Sequence, residues 1–155
     1  AVLLTGQFRA YLSDSTHDAV CRVLGLAGKL ASNCGLPVAP DLTAIGPYQN
    51  RNGQVVNVNL DSLIYGKAPT TTTCSGGGPS LLNAVGYDEA AAPSSAQPFT
   101  GTQCGVQFGA NCTDWTSGVL ANAQLGVANA TNSSWSSNGA VLACLAGAPL
   151  YCVEK

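Results

Sequence analysis

The hydrophobic and polar positions of this chain change period several times, and each change predicts a short element. Residues 6–13 alternate apolar and polar side chains, as a half-buried strand does. After Ser15, a potential helix cap, apolar residues recur at helical spacing as far as Leu30, which predicts a helix. Gly25 and Gly28 weaken that helix, because glycine in a helix interior loses more backbone freedom on folding than other residues do.

A hairpin and a second helix follow. The dipeptide Asn52-Gly53 is a strong signal for a tight turn, and strand-like segments at 48–50 and 54–58 flank it. Residues 59–65 then predict a short helix that Gly66 ends as a left-handed cap. Local signals alone support both elements.

The stretch 67–98 has little periodicity and is rich in Pro, Gly, Ser and Thr, so it predicts a long loop that Cys74 would pin. Long loops on a rigid scaffold often carry binding function. From Phe99 onward the pattern predicts short strands and turns, with closing strands at 141–144 and 150–153.

Composition narrows the class of protein. A chain of 155 residues without internal repeats predicts one domain. Only 9% of the residues are charged, against roughly 25% in typical soluble domains, and such a surface suits secreted or cell-surface proteins. The net charge is −2 and the basic residues are scattered, so a nucleic-acid partner is not expected. No apolar run is long enough to span a bilayer.

Seven cysteines accompany this composition. They form no C-x2-C pair, and His17 is the only histidine, so a zinc site is not expected. The alternative is disulfide bonding, which implies an oxidising compartment and an extracellular location. Cys21 and Cys34 flank the first predicted helix and could close it into a small loop.

Six short motifs follow one another in order: Gly6 to Asp14, Pro47 to Val56, Asn59 to Gly66, Phe99 to Thr102, Cys112 to Trp115, and Cys144 with Leu150 to Glu154. In this order they resemble the endostatin-like family, which comprises the C-terminal domain of certain collagens and bacterial surface proteins of similar sequence. Trp135 stands where a tryptophan often follows in that family. The resemblance covers most of the chain except 67–98.

The resemblance implies an α+β fold of the C-type-lectin-like, endostatin-like class: a twisted antiparallel sheet with short helices, long loops and several disulfides. Residues 1–155 would form a single endostatin-like domain that lacks the family's N-terminal strand and helix, and 67–98 would be a long loop insertion. Trp115 and Trp135 would then belong to the core rather than to a sugar-stacking platform.

The resemblance also implies a nested pair of disulfides. Cys112 would bond Cys144, and Cys152 would bond a cysteine in the absent N-terminal helix. If the other two pairs are Cys21–Cys34 and Cys74–Cys104, Cys152 has no partner left within the chain.

Four explanations of the leftover Cys152 stay open. An N-terminal piece has been cleaved off, or a neighbouring molecule supplies the partner. Alternatively Cys152 is reduced, with a buried and inert thiol, or the seven cysteines pair differently.

Candidate catalytic chemistry is sparse. His17 lies between Asp14 and Asp18, with Ser13 and Ser15 nearby, but residues adjacent in sequence are seldom posed as a triad. A solvated histidine at a helix start is the preferred interpretation, and no enzyme activity is expected. The carboxylates are dispersed and the sugar-binding triplets of calcium-dependent lectins are missing, so no metal or cofactor is predicted.

Three asparagines fit the N-glycosylation pattern: Asn111, Asn129 and Asn132. If the source organism glycosylates, the last two would mark an exposed loop.

Three functions therefore compete. The first is a non-catalytic extracellular structural or adhesive module that associates with itself or with matrix or surface proteins. The second is a lectin-like module that binds a carbohydrate or host ligand through 67–98 and the loop after Trp115. The third, disfavoured, is a hydrolase that uses His17.

Overall fold

A computed structural model describes residues 7–65, 81–88, 90–103, 107–116, 118 and 121–154 of the chain. The architecture is mixed α+β, built from short helices, small antiparallel two-stranded sheets and two disulfides. Within the described ranges, no helix has the length and apolarity needed to cross a membrane. The expected loop at 67–98 is described only from 81 onward, where the chain is irregular apart from one bridge between Tyr87 and Pro93.

Eight short strands pair two by two. All four pairs, β1–β8, β2–β3, β4–β5 and β6–β7, are antiparallel. The strands are β1 (Phe8–Ala10), β2 (Tyr48–Gln49), β3 (Val55–Asn57), β4 (Thr102–Gln103), β5 (Gln107–Phe108), β6 (Asn122–Gln124), β7 (Val141–Ala143) and β8 (Cys152–Glu154).

The predicted closing strands belong to different pairs, because β7 pairs with β6 and β8 pairs with β1. Single bridges extend the pairing, since Phe99 pairs with both Leu125 and Leu150. The chain ends are therefore joined through β1 and β8.

The first helix is shorter than its sequence pattern predicts. Helix α1 (Ala19–Leu24) starts after Asp18 and ends at Gly25, whose φ of 76° is left-handed. Ser15 does not cap it, because the Ser15 hydroxyl donates to Asp114 at 2.5 Å instead. The prediction of a helix as far as Leu30 was wrong, since the left-handed glycine turns the chain away.

The predicted hairpin and second helix are present. The Asn50 side chain organises the turn by accepting hydrogen bonds from the backbone N–H groups of Asn52 and Gln54, at 3.1 and 3.0 Å. Gly53 has a φ of 75°, which glycine adopts without strain. Helix α2 (Leu60–Tyr65) follows β3, and its expected cap Gly66 lies outside the described residues.

A left-handed turn is the least usual backbone feature. The short helical segment α3 (Cys112–Trp115) has positive φ at all four residues, between 54° and 64°. None of these is glycine, and each left-handed L-residue costs about 1–2 kcal/mol. The side chain of Asn111 accepts from Asp114 N–H at 3.2 Å, and the Cys112 disulfide anchors the first residue.

The core has an apolar part and a hydroxyl part. Tyr11, Leu60 and Trp135 lie in the larger apolar cluster, where each is at most 2% exposed. Four fully buried hydroxyl side chains hydrogen-bond beside it: Ser13, Thr100, Thr102 and Ser136. The Ser13 hydroxyl lies 2.9 Å from that of Thr102 and accepts from Ala19 N–H, which ties the segment after β1 to β4 and to the start of α1. These hydroxyls are satisfied by protein partners, as burial of polar groups requires.

Candidate functional site

An apolar groove of about 560 Å³ lies between strand β8 and the β2–β3 hairpin. Helix α1 contributes Val23 and Leu24, the segment before β2 contributes Ile45 and Pro47, and β8 contributes all three of its residues. The volume falls in the range of roughly 300–1,000 Å³ that ligand sites usually have. The sequence did not indicate this groove, because its walls come from distant segments.

Two buried aromatic residues, Trp135 and Tyr151, line the groove. The Trp135 ring packs against Tyr11 and Tyr151, with ring centroids 4.9 and 5.6 Å apart. The Tyr151 hydroxyl donates to the Trp135 carbonyl oxygen at 2.7 Å, and burial raises the pKa of Tyr151 well above its usual value. The Trp135 indole Nε1–H is buried and has no acceptor among the described residues. A buried donor without a partner is uncommon in proteins.

Cys152 lies at the rim of this groove with an exposed, unpaired thiol. The expectation that an unpaired Cys152 would be buried was therefore wrong, while its inertness stays a prediction. Side chains alternate between the two faces of a strand, so Tyr151 and Val153 face the core while Cys152 and Glu154 face outward. Leu150, 45% exposed, adds apolar surface on the same outward face.

Two disulfides hold the described part of the chain. Cys21 is bonded to Cys34 and Cys112 to Cys144, with Cα–Cα distances of 5.3 and 5.7 Å. They are two of the pairs named from the sequence. The third pair, 74–104, lies outside the described residues.

The sequence placed His17 near two aspartates and two serines, but these residues do not form a catalytic triad in the structure. Asp14 accepts hydrogen bonds from Thr16 N–H and His17 N–H, at 2.8 and 2.7 Å, and forms an ion pair with Arg22. His17 Nδ1 lies 3.1 Å from Asp14 Oδ1, but the Ser13 hydroxyl bonds to other groups.

Asp14 is held as a carboxylate by this network. Burial alone would raise its pKa, but the hydrogen bonds from Thr16, His17 and Arg22 together lower it well below its usual range. An ion-paired carboxylate of this kind organises the turn before α1. The Thr16 hydroxyl also donates to Asp14 at 2.8 Å and lies 2.8 Å from His17 Nδ1, but Asp14 faces that same ring nitrogen, whereas a triad places the acid and the hydroxyl on opposite nitrogens of the histidine.

Two arginines that are distant in sequence meet beside α1. Arg9 Nη1 donates to the Arg22 carbonyl oxygen at 3.3 Å, and the Arg9 guanidinium lies against Gly25, where a side chain would collide with it. The two arginines and His17 line a shallow depression of about 490 Å³. Because Asp14 neutralises Arg22, this depression carries only a small excess of positive charge.

The remaining predicted residues are scattered. Trp135 is buried, whereas Trp115 is half-buried, packs on Phe99 and donates its Nε1–H to the Ser13 carbonyl oxygen at 3.0 Å. Asn129 and Asn132 are exposed.

Asn111 differs from the other two sequon asparagines, because its Nδ2 donates to Asp114 at 2.7 Å. An amide engaged in this way is a poor acceptor for a glycan.

Among the residues with described positions, no group of three or more His, Cys, Asp or Glu side chains is arranged to hold a metal ion. In comparisons with known proteins, the chain matches no family model, no curated sequence and no solved structure. The endostatin-like resemblance therefore stays a prediction that its motifs support.

Proposed function

We propose that this chain is a non-catalytic extracellular module, of the C-type-lectin-like, endostatin-like class, with a structural or adhesive role. It joins other protein chains through the face that carries Cys152. One observation carries the proposal: an exposed thiol lies at the rim of an apolar groove. Disulfide-bonded, weakly charged proteins belong to oxidising compartments, where an exposed thiol readily finds a partner.

The apolar surroundings of Cys152 support the proposal that it lies in a protein interface. Leu150 and the groove place apolar surface on both sides of the thiol. Exposed apolar surface rimmed by polar groups commonly marks an interaction site.

A second candidate function is the binding of a small ligand in the groove, as in a lectin-like module. The volume and the apolar lining of the groove favour it, because small-ligand sites are commonly apolar clefts of this size. Partners of this kind are largely uncharged, since Glu154 is the only charged residue among the described residues that line the groove.

Disulfide mapping of the native protein tests the first proposal. Free thiols are blocked at the outset, and the unreduced protein is digested with chymotrypsin, because trypsin has no site between Lys67 and Lys155. Cleavage after Tyr151 separates Cys152 from Cys144. The Cys21–Cys34 pair serves as the internal control for retention of disulfides.

A Cys152 peptide linked to a sequence from another chain is the expected result. Quantitative blocking of Cys152 in freshly isolated protein would contradict covalent joining, and a glycan array would then test the second candidate.

A further inference from the structure

We propose that the partner enters the groove as an extended peptide strand that adds to the free edge of β8. This inference rests on the proposed function and specifies the kind of partner element. It is argued from the backbone of β8, the contents of the groove and the position of the thiol.

The backbone of β8 leaves one edge open. Tyr11 N–H donates to the Tyr151 carbonyl oxygen at 3.0 Å, and the register pairs Arg9 with Val153. In an antiparallel ladder, hydrogen-bonded pairs alternate with non-bonded pairs. The backbone groups of Cys152 and Glu154 therefore point away from β1, toward the groove that both residues line.

No described backbone group occupies that edge. Within the described ranges, no backbone hydrogen bond joins the groove side of Cys152 or Glu154 to another segment. An added strand supplies the missing partners, which is a common mode of peptide recognition.

The size and charge of the groove select a short, largely apolar segment. A volume of about 560 Å³ accommodates a few side chains but not a folded domain. Within the described part of the lining, Glu154 alone is charged, so a basic residue opposite it complements the groove.

The Cys152 thiol determines which residue of the added strand lies opposite each residue of β8. Residues directly opposite in a hydrogen-bonded antiparallel pair have Cα atoms about 5.5 Å apart. Disulfides span Cα–Cα distances of roughly 4.4–6.8 Å. A cysteine opposite Cys152 in the added strand meets this Cα range, and its Cβ must approach that of Cys152 by about 1 Å from the usual spacing of a hydrogen-bonded pair for the disulfide to form. A basic residue two positions earlier then faces Glu154.

A disulfide-exchange experiment with a defined peptide tests the proposal. The probe is acetyl-Val-Lys-Val-Cys-Val-Thr-amide, supplied as its mixed disulfide with 2-mercaptoethanol. The Cys152 thiolate attacks the peptide sulfur, the new S–S bond forms, and 2-mercaptoethanol leaves with the proton, so no net oxidation occurs. The comparison probe carries N-methyl groups on its Lys and Cys, whose N–H groups would otherwise bond β8.

We expect the equilibrium constant for disulfide exchange to be roughly tenfold larger for the first peptide than for the N-methylated one, because the N-methylated peptide loses two hydrogen bonds to β8. In the conjugate, hydrogen exchange at the amides of Cys152 and Glu154 slows about tenfold or more, whereas that at Val153, which already bonds β1, is unchanged. The control is the Cys152→Ser, Val38→Cys double variant, whose new thiol lies at a 75% exposed position remote from β8 in sequence. It should capture both peptides equally.

Equal capture of the two peptides at Cys152, or unchanged exchange at 152 and 154, would overturn strand addition even if mapping finds Cys152 bonded to another chain. If the disulfide mapping finds no partner chain but the first peptide is still captured preferentially, strand addition is supported while covalent joining to another chain is not. The two experiments therefore test the two proposals independently. Sedimentation of the peptide-free protein as a Cys152-linked dimer whose amides at 152 and 154 stay unprotected would assign this face to a second copy that packs without adding a strand, and would also overturn the proposal.

Discussion

Replacing Asp14 by asparagine separates a structural role of the Asp14–His17 pair from a chemical one. Asparagine keeps the size of the side chain, and its oxygen can still accept from the N–H groups of Thr16 and His17. Its amide nitrogen, however, replaces the oxygen that accepts from Arg22, so two donors face each other.

The magnitude follows from burial. The Asp14 side chain is 6% exposed and the Arg22 side chain 36% exposed, so Arg22 can regain water after the change. Removing one partner of a fully buried ion pair costs about 3–5 kcal/mol, and a charge-assisted hydrogen bond contributes about 1.5–3 kcal/mol. We therefore expect Asp14→Asn to lower the free energy of unfolding by about 2 kcal/mol at pH 7.

The pH dependence gives an independent readout. Because the pKa of Asp14 is lower in the folded protein than in the unfolded chain, its contribution is complete above the unfolded value of about 3.9. It is lost as the pH falls toward the folded value. The stability difference between wild type and variant should shrink as the pH falls below about 4. Asp18, whose pKa burial raises, titrates in both proteins and largely cancels in the difference.

Urea unfolding followed by tryptophan fluorescence at pH 7, 5 and 3 measures these differences. Asp41→Asn is the matched control, because Asp41 is an exposed carboxylate that caps a turn through Thr43, and asparagine caps about equally well. A difference near zero at pH 7 for Asp14→Asn, or one that grows as the pH falls, would refute the structural account.

Three further predictions concern the left-handed turn, the disulfide and the sequons. Thr113→Gly should raise the urea midpoint, because glycine removes about 1 kcal/mol of strain at a φ of 54°; a lower midpoint would contradict this. Replacing Cys112 and Cys144 together by serine should cost about 4 kcal/mol by the chain-entropy relation for a 32-residue separation, and a loss below about 1 kcal/mol in urea unfolding would argue against it. In a host that N-glycosylates, peptide mapping should find Asn132 more occupied than Asn111, whose amide is already hydrogen-bonded; equal occupancy would be the contrary result.

Local elements were predictable from the sequence, and non-local ones were not. The hairpin around Asn52-Gly53 and helix α2 follow from signals within a few residues, and both are present. Helix α1 was predicted too long, because helical spacing of apolar residues continues past Gly25 although the backbone turns there. The pairing of β1 with β8 joins opposite ends of the sequence and has no local signal.

In the candidate site, too, local features were predictable from the sequence and non-local ones were not. The outward position of Cys152 could have been predicted from the alternation of Tyr151, Cys152 and Val153 along one strand. The groove could not, because α1, the β2–β3 hairpin and β8 meet only after folding. The approach of Arg9 to Arg22 had one indirect signal, Gly25, which leaves room for the guanidinium.

The buried hydroxyl cluster has a thermodynamic consequence for the whole molecule. Unfolding would expose Ser13, Thr100, Thr102 and Ser136 to water along with the apolar core. Exposure of polar surface lowers the heat capacity, whereas exposure of apolar surface raises it. We therefore expect a heat-capacity increment slightly smaller than that of a core of the same size built from apolar side chains alone. The stability curve of this protein should be correspondingly a little flatter, so the buried hydroxyls act on how stability changes with temperature as well as on its size.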